Sequence, residues 1–213
     1  MLKENGQANL KINKNKFIYL ISPNKIPDSF FSNLKLVLKT GKVSFFQLRL
    51  KSYSQNKKII IGKKIKNICK KNNVKFIIND DPLLALKLDA DGCHLGQKDM
   101  NIKAAKKILG KKIIGITCHN SMILAKKAIK AKADYIAFGA FNQSKTKKTK
   151  YVASVKILNK VKKLTKIPTV AIGGINTINY KNLLLNNANF LAISGYIWKN
   201  KKYKPLQAVE RLK

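Results

Sequence analysis

KFIINDDPLLALKLDADGCHLGQKD, residues 75–99, joins two short apolar runs through a segment with room for one small helix. The first run, KFIIN (75–79), and the second, GCHL (92–95), are too short for helices and are bounded by polar residues. Pro82 stands where the first turn of a helix tolerates a missing N–H. A strand–helix–strand unit is therefore expected, with NDD after the first strand and GQKD after the second.

The same unit recurs along the chain. Strand-like runs are KFIYLIS (16–22), VSFFQLR (43–49), KIIGIT (112–117), DYIAFG (134–139), PTVAIGG (168–174) and NFLAIS (189–194), besides the two already quoted. Most are continuously apolar rather than alternating, which is how strands buried on both faces read. Between them lie lysine-studded segments of helical period. Ile61, Ile65, Ile68 and Cys69 form one apolar stripe, and Asn120 is placed to cap the helix SMILAKKAIKAKA. Eight strand-like runs, each followed by a helical segment, predict an α/β fold, a single-domain (β/α)₈ barrel of the TIM type over residues 16–213. A doubly wound open sheet is the alternative. Residues 1–15 read as a polar tail.

The chain has 213 residues, 45 Lys+Arg against 9 Asp+Glu, and a formal net charge of +36. Such a balance invites a nucleic-acid reading. Only two of the basic residues, Arg49 and Arg211, are arginines, although Arg is preferred for bidentate phosphate and base contacts. The lysines are spread along the whole length, and no nucleic-acid motif stands out, so no specific nucleic-acid partner is expected. Cys69, Cys93 and Cys118 are odd in number and lack C-x-x-C spacing, which fits a reducing cytosol rather than a disulfide framework or zinc site. The first apolar run is far too short for a membrane span. A cytoplasmic protein without a membrane partner is expected.

Catalytic groups of a barrel belong at the C-terminal ends of its strands. QLRLK follows the second run, NDD the third, GQKD the fourth, TCHN the fifth, NQSKTKK the sixth, GG the seventh and SG the eighth. These groups suit phosphate chemistry. Arg49 and Lys51, two apart on a strand, would turn two cations to one anion. Asp80 and Asp99 end adjacent strands and could hold Mg²⁺ together with phosphate oxygens, or could instead be helix N-caps. Asp81 fits either role, whereas Asp89 and Asp91 flank the start of the fourth strand at the opposite, structural end. Gly173-Gly174 would let a phosphate approach the backbone. His94 and His119 read as structural histidines, since no Ser/His/Asp set or histidine cluster accompanies them.

QLRLK (47–51), IND (78–80) followed by ADGCHLGQKD (90–99), GITCHN (115–120), ADYIAFGAFNQSKTKK (133–148) and TVAIGGI (169–175) occur in an order and at intervals that resemble thiamine-phosphate synthase. The resemblance runs from about residue 16 to 198. It implies a transferase that joins hydroxymethylpyrimidine diphosphate to hydroxyethylthiazole phosphate and releases pyrophosphate. It further implies Gln47 against the pyrimidine, and Arg49, Lys51, Asn79 and Lys147 on the diphosphate. Asp80 and Asp99 would bind Mg²⁺, and Thr117 would stand beside the pyrimidine where the family has Ser. Ser144 and Thr146 would meet the thiazole phosphate, with Gly174 and the segment around Ser194 on its phosphate. Arg49, Lys51, Thr117 and Lys147 would be the catalytic groups.

The sixth loop departs from the family pattern, with Gln143 for Pro and Ser144 for Thr. A related thiazole tautomerase is the nearest alternative. Such relatives tend to lack the Mg²⁺ and diphosphate residues, whereas Lys51, Asn79, Asp80, Asp99 and Lys147 are all present here. A basic nucleic-acid-binding module is the alternative of a different class.

Overall fold

The structure, a computed structural model, describes residues 10, 12–142 and 151–213. In chain order the elements are β1 (Ile18–Ile21), α1 (Phe30–Lys39), β2 (Val43–Leu48), α2 (Gln55–Lys71), β3 (Lys75–Asn79), α3 (Pro82–Lys87), β4 (Gly92–Leu95) and α4 (Ile102–Leu109). They continue with β5 (Ile113–His119), α5 (Met122–Lys130), β6 (Tyr135–Gly139), α6 (Lys156–Leu164), β7 (Thr169–Ile172), α7 (Tyr180–Leu185), β8 (Phe190–Ile193), α8 (Gly195–Trp198) and α9 (Pro205–Glu210). Each strand pairs in parallel with its sequence neighbour, and β8 pairs with β1 to close an eight-stranded barrel. Closure rules out the open-sheet alternative. Among the described residues, no helix is long and apolar enough to cross a membrane.

The continuous apolar runs are explained by two separate cores. Successive strand side chains point to opposite faces. Tyr19, Phe45, Ile77, Tyr135 and Phe190 therefore fill the barrel interior, while Ile18, Leu20, Phe46, Phe76 and Ile78 face the helices. The apolar helix stripes complete the outer core, with Leu34, Val37 and Ile65 fully buried. Truncating one of these, as in Leu34→Ala, would cost about 2–5 kcal/mol. Leu10 packs against the interior cluster.

Side-chain caps fix where the helices begin. Ser54, Asp81 and Asn101 accept from the backbone N–H of Lys57, Leu84 and Ala104, at the starts of α2, α3 and α4. The start of α5 departs from the sequence expectation. Ser121 caps it in place of Asn120, because Ser121 takes the extended backbone of an N-cap and its hydroxyl accepts from Leu124 N–H.

The end of the barrel at which the strands begin is clasped in a repeating way. Asp91 precedes β4 and accepts from Phe76 N–H of β3 at 2.8 Å. Asp134 precedes β6 and accepts from Ile114 N–H of β5 at 2.8 Å. Asn189 precedes β8 and accepts from Thr169 N–H of β7 at 2.8 Å. Asp89 pairs with both Lys66 and Lys112 at 2.7 Å. The structural role expected of Asp89 and Asp91 is thereby given a geometry.

Candidate active site

The opposite end gathers several of the candidate side chains. Asp80 follows β3 directly, with φ +64, a left-handed conformation that Asp tolerates better than most residues. Its N–H donates to His94 O of β4. Its Oδ2 lies 2.7 Å from Lys51 Nζ, and the side chains of Asp99 and Asn79 are near enough to influence its carboxyl. Asp99 is held from the other side, its Oδ2 accepting from Gly96 N–H at 2.7 Å. The helix-cap alternative fails for both residues, since Asp81 caps α3 and Asn101 caps α4. Asp81 thus belongs to the helix, and its second oxygen accepts from Gln55 Nε2.

The two carboxyl groups are pushed in opposite directions. Burial raises Asp80, but the Lys51 ammonium and the neighbouring Asp99 and Asn79 side chains outweigh it, so its pKa is lowered. Burial raises Asp99 as well, and the neighbouring Asp80 charge adds to that. A cleft of about 520 Å³ opens over this pair, with Lys51, Lys58, Asn79, Asp80 and Asp99 among its walls. Among the described residues, no group of three or more His, Cys, Asp or Glu is arranged to hold a metal. The carboxyl pair is what this face offers to a cation.

Arg49 and Lys51 do not present themselves as a pair along one strand. β2 ends at Leu48, and Leu50 between them is buried. Arg49 Nη1 donates to Asn24 Oδ1 at 3.3 Å, and its backbone N–H donates to Ser22 Oγ. Lys51 turns instead to Asp80. The two cations therefore take partners after different strands, one after β1 and one after β3.

Below the cleft, a chain of polar side chains crosses the barrel interior. Gln47 Nε2 donates to Tyr19 Oη at 3.0 Å, and Tyr19 Oη lies 2.7 Å from Tyr135 Oη. Tyr135 Oη lies 2.9 Å from His94 Nδ1, and His94 Nε2 lies 2.8 Å from Thr117 Oγ1. Gly115 makes the crossing possible, because a Cβ there would sit 1.9 Å from the Tyr135 ring. Burial lowers the His94 pKa to about 4, against the opposing pull of Asp80, so the imidazole is neutral near pH 7. Burial raises Tyr19 and Tyr135 far above neutrality. Gln47, His94 and Thr117 stand out in the sequence, but Tyr19 and Tyr135 do not. The one signal for them is a hydroxyl inside an otherwise apolar strand run.

After β7, Gly173 and Gly174 take φ +109 and +58. A Cβ on Gly173 would meet Ala140 Cβ at 2.4 Å, so this turn is closed to larger residues and leaves its backbone bare. Ser194 follows β8, and its Oγ donates to Ser22 O at 3.3 Å. His119 stacks on Tyr151 with ring centroids 4.4 Å apart. Ser144, Thr146 and Lys147 lie outside the described residues. Cys69, Cys93 and Cys118 are buried free thiols.

Comparison with known proteins identifies the family. The family model described as thiamine monophosphate synthase matches residues 18–197. The thiamine-phosphate synthase of Pelagibacter ubique is 68% identical over 204 residues, covering 95% of this chain and 98% of that protein. That of Erythrobacter litoralis is 39% identical, covering 90% and 92%. Among solved structures, thiamine phosphate pyrophosphorylase from Pyrococcus furiosus superposes with a TM-score of 0.82 at 28% identity, covering 93% of this chain and 94% of that one. An orotidine 5'-phosphate decarboxylase from Pyrococcus horikoshii shares the barrel alone, at 12% identity and a TM-score of 0.62, covering 90% and 95%. The chain belongs to the thiamine monophosphate synthase family, a family of enzymes of the transferase class.

Proposed function

We propose that this chain couples hydroxymethylpyrimidine diphosphate with hydroxyethylthiazole phosphate, giving thiamine phosphate and pyrophosphate. The observation that carries the reading is the Lys51–Asp80–Asp99 cluster with Asn79 at the strand ends, opening directly onto the cleft. The family membership and the 68% identical relative named thiamine-phosphate synthase support it.

Mg²⁺ suits this donor set. Two neighbouring carboxyl groups resist ionising together unless a cation intervenes. Mg²⁺ is commonly bound by one or two carboxylates plus substrate phosphates rather than by a closed protein cage. Asp80 and Asp99 would hold it, and when bound it would draw off negative charge from the diphosphate oxygens.

The protein's own part is positioning and charge. The C–O bond between the pyrimidine methylene and the diphosphate breaks, and its electron pair leaves with pyrophosphate. Lys51, Asn79 and Arg49 stabilise charge where it develops on that leaving group, with Lys147 assigned to the same role by the family resemblance. The aminopyrimidine delocalises the methylene cation that remains. The thiazole nitrogen then forms the C–N bond with a lone pair it already has. No proton moves in either step, so no general base is required. Gln47 and Thr117 orient the pyrimidine, while Gly174, Ser194, Ser144 and Thr146 receive the thiazole phosphate.

The test is to mix purified protein with both substrates and Mg²⁺ and to measure thiamine phosphate and pyrophosphate. Equal amounts of both are expected, and their absence with folded protein would overturn the reading. Isomerisation of a thiazole carboxylate without any pyrimidine would point to the tautomerase instead.

A further inference from the structure

On the outer wall of the barrel, α4 and α5 enclose a second hollow of about 450 Å³. Its walls are Lys103 and Lys106 of α4, Lys127 and Lys130 of α5, and Ala131 and Lys132 just beyond α5. None of these residues lines the cleft over Asp80 and Asp99. In each helix the two lysines are three apart and so share a face. The walls thus bring ammonium groups together with no carboxylate among them. Asp134, the one acidic residue between Asp99 and Glu210 in the sequence, is buried and accepts from Ile114 N–H of β5.

Ordinary helix chemistry accounts for part of this. Lys127 and Lys130 complement the dipole in the last turn of α5, but Lys103 stands in the first turn of α4, where a cation is disfavoured. Lys132 is odder. It follows α5 in a left-handed conformation, φ +58, which costs an ordinary residue about 1–2 kcal/mol. Where α1, α2, α3, α4 and α7 end in the same conformation, the residues are Gly41, Asn73, Asp89, Gly110 and Asn187, types that tolerate it. Among these helix ends only that of α5 uses a lysine, and that lysine lines the hollow.

We propose that the α4–α5 hollow binds a linear polyphosphate of three or more phosphates, as an inorganic chain or as the triphosphate of a nucleotide. A single phosphate would leave most of the ammonium groups repelling one another, whereas a flexible chain can meet them in turn. Lysine presents a point charge on a flexible stem, which suits phosphate oxygens that lie in no fixed plane. The walls carry neither an aromatic side chain to stack a base nor an arginine. The phosphate chain itself is therefore what the hollow recognises, and a single-stranded nucleic acid fits it less well.

Two measurements on the full chain test it. In lysine acetylation read by mass spectrometry, tripolyphosphate should protect Lys103, Lys127, Lys130 and Lys132 of the wild-type protein several-fold. Lys70, Lys71, Lys162 and Lys163, which end α2 and α6 outside the hollow, should stay reactive. Calorimetric titration with tripolyphosphate, in a Lys51→Met background that weakens binding in the cleft, compares two fourfold variants of equal charge. Lys103→Gln, Lys127→Gln, Lys130→Gln and Lys132→Gln together should weaken binding about 10–100-fold, the worth of several exposed ion pairs. The same change at Lys70, Lys71, Lys162 and Lys163 should cost at most a few-fold, with folding of both checked by circular dichroism. ATP binding as tightly as tripolyphosphate assigns the site to the triphosphate group common to both, and much weaker ATP binding assigns it to the inorganic chain. Equal losses in the two variants overturn the proposal, as does equal affinity for orthophosphate or tighter binding of a single-stranded RNA through the same lysines. Absence of protection in the wild-type protein overturns it even if the variants fail to fold.

Discussion

The carboxyl groups of Asp80 and Asp99 face each other closely enough at the mouth of the barrel to shift one another, one lowered in pKa and the other raised. Lys51 explains the asymmetry, because its ammonium sits 2.7 Å from Asp80 Oδ2. A divalent cation between them, as proposed, would let both groups ionise.

Replacing either carboxylate should therefore affect turnover more than folding. Asp80→Asn or Asp99→Asn is expected to lower kcat by about 100-fold or more, with a melting temperature within a few degrees of wild type. Mg²⁺ titration of the residual activity should show weakened metal dependence. Wild-type turnover in either variant removes that residue from the metal site.

Lys51 should separate stability from activity even more cleanly. Its side chain is 61% exposed, and exposed ion pairs contribute only about 0–1 kcal/mol. Lys51→Met is expected to unfold in urea almost as wild type does, yet to bind pyrophosphate much more weakly. Equal pyrophosphate affinity would show that Lys51 serves Asp80 alone.

His94 makes a pH prediction with a definite sign. Its folded pKa of about 4 lies below the ordinary histidine value of 6.5. The unfolded chain therefore binds more protons between those values. The contribution is present in full above pH 6.5 and is lost as pH falls through 4. Melting temperatures from pH 7 to 4 should fall more steeply for wild type than for His94→Gln, and the His94 ring resonances should not titrate above pH 5.

At the far end of the barrel, Asp134→Ala should destabilise without touching chemistry. The residue is 4% exposed, and Ile114 N–H would lose its acceptor, a loss of about 1–3 kcal/mol. Asp134→Asn should retain most of the stability, since Asn189 makes the same contact to Thr169. Chemical denaturation checks both, with kcat expected to be unchanged in each.

The barrel was readable in the sequence because strands buried on two faces have no room for polar alternation. All eight apolar runs coincide with the strands found, to within two residues at either end. Asp80 and Asp99 could be located for a related reason: a strand end is also a change in composition. Past Leu48 the chain leaves the strand, so Arg49 turns to Asn24 and Lys51 to Asp80, which strand alternation alone does not tell. The Ser121 cap was missed because Asn120 and Ser121 are both good capping residues and only backbone conformation separates them. Tyr19 and Tyr135 were hidden for a deeper reason. Each looks like one more large core side chain, and the meaning of its hydroxyl depends on a partner on a distant strand.

The clasps before β4, β6 and β8 link the strands in successive couples, β3 with β4, β5 with β6 and β7 with β8. Each clasp fixes how far one strand is slid along its neighbour, and those offsets accumulate around a closed sheet into its shear. Three buttons at the floor thus help set the tilt of every strand. The width of the mouth, where Asp80 must find Asp99, is tailored from below.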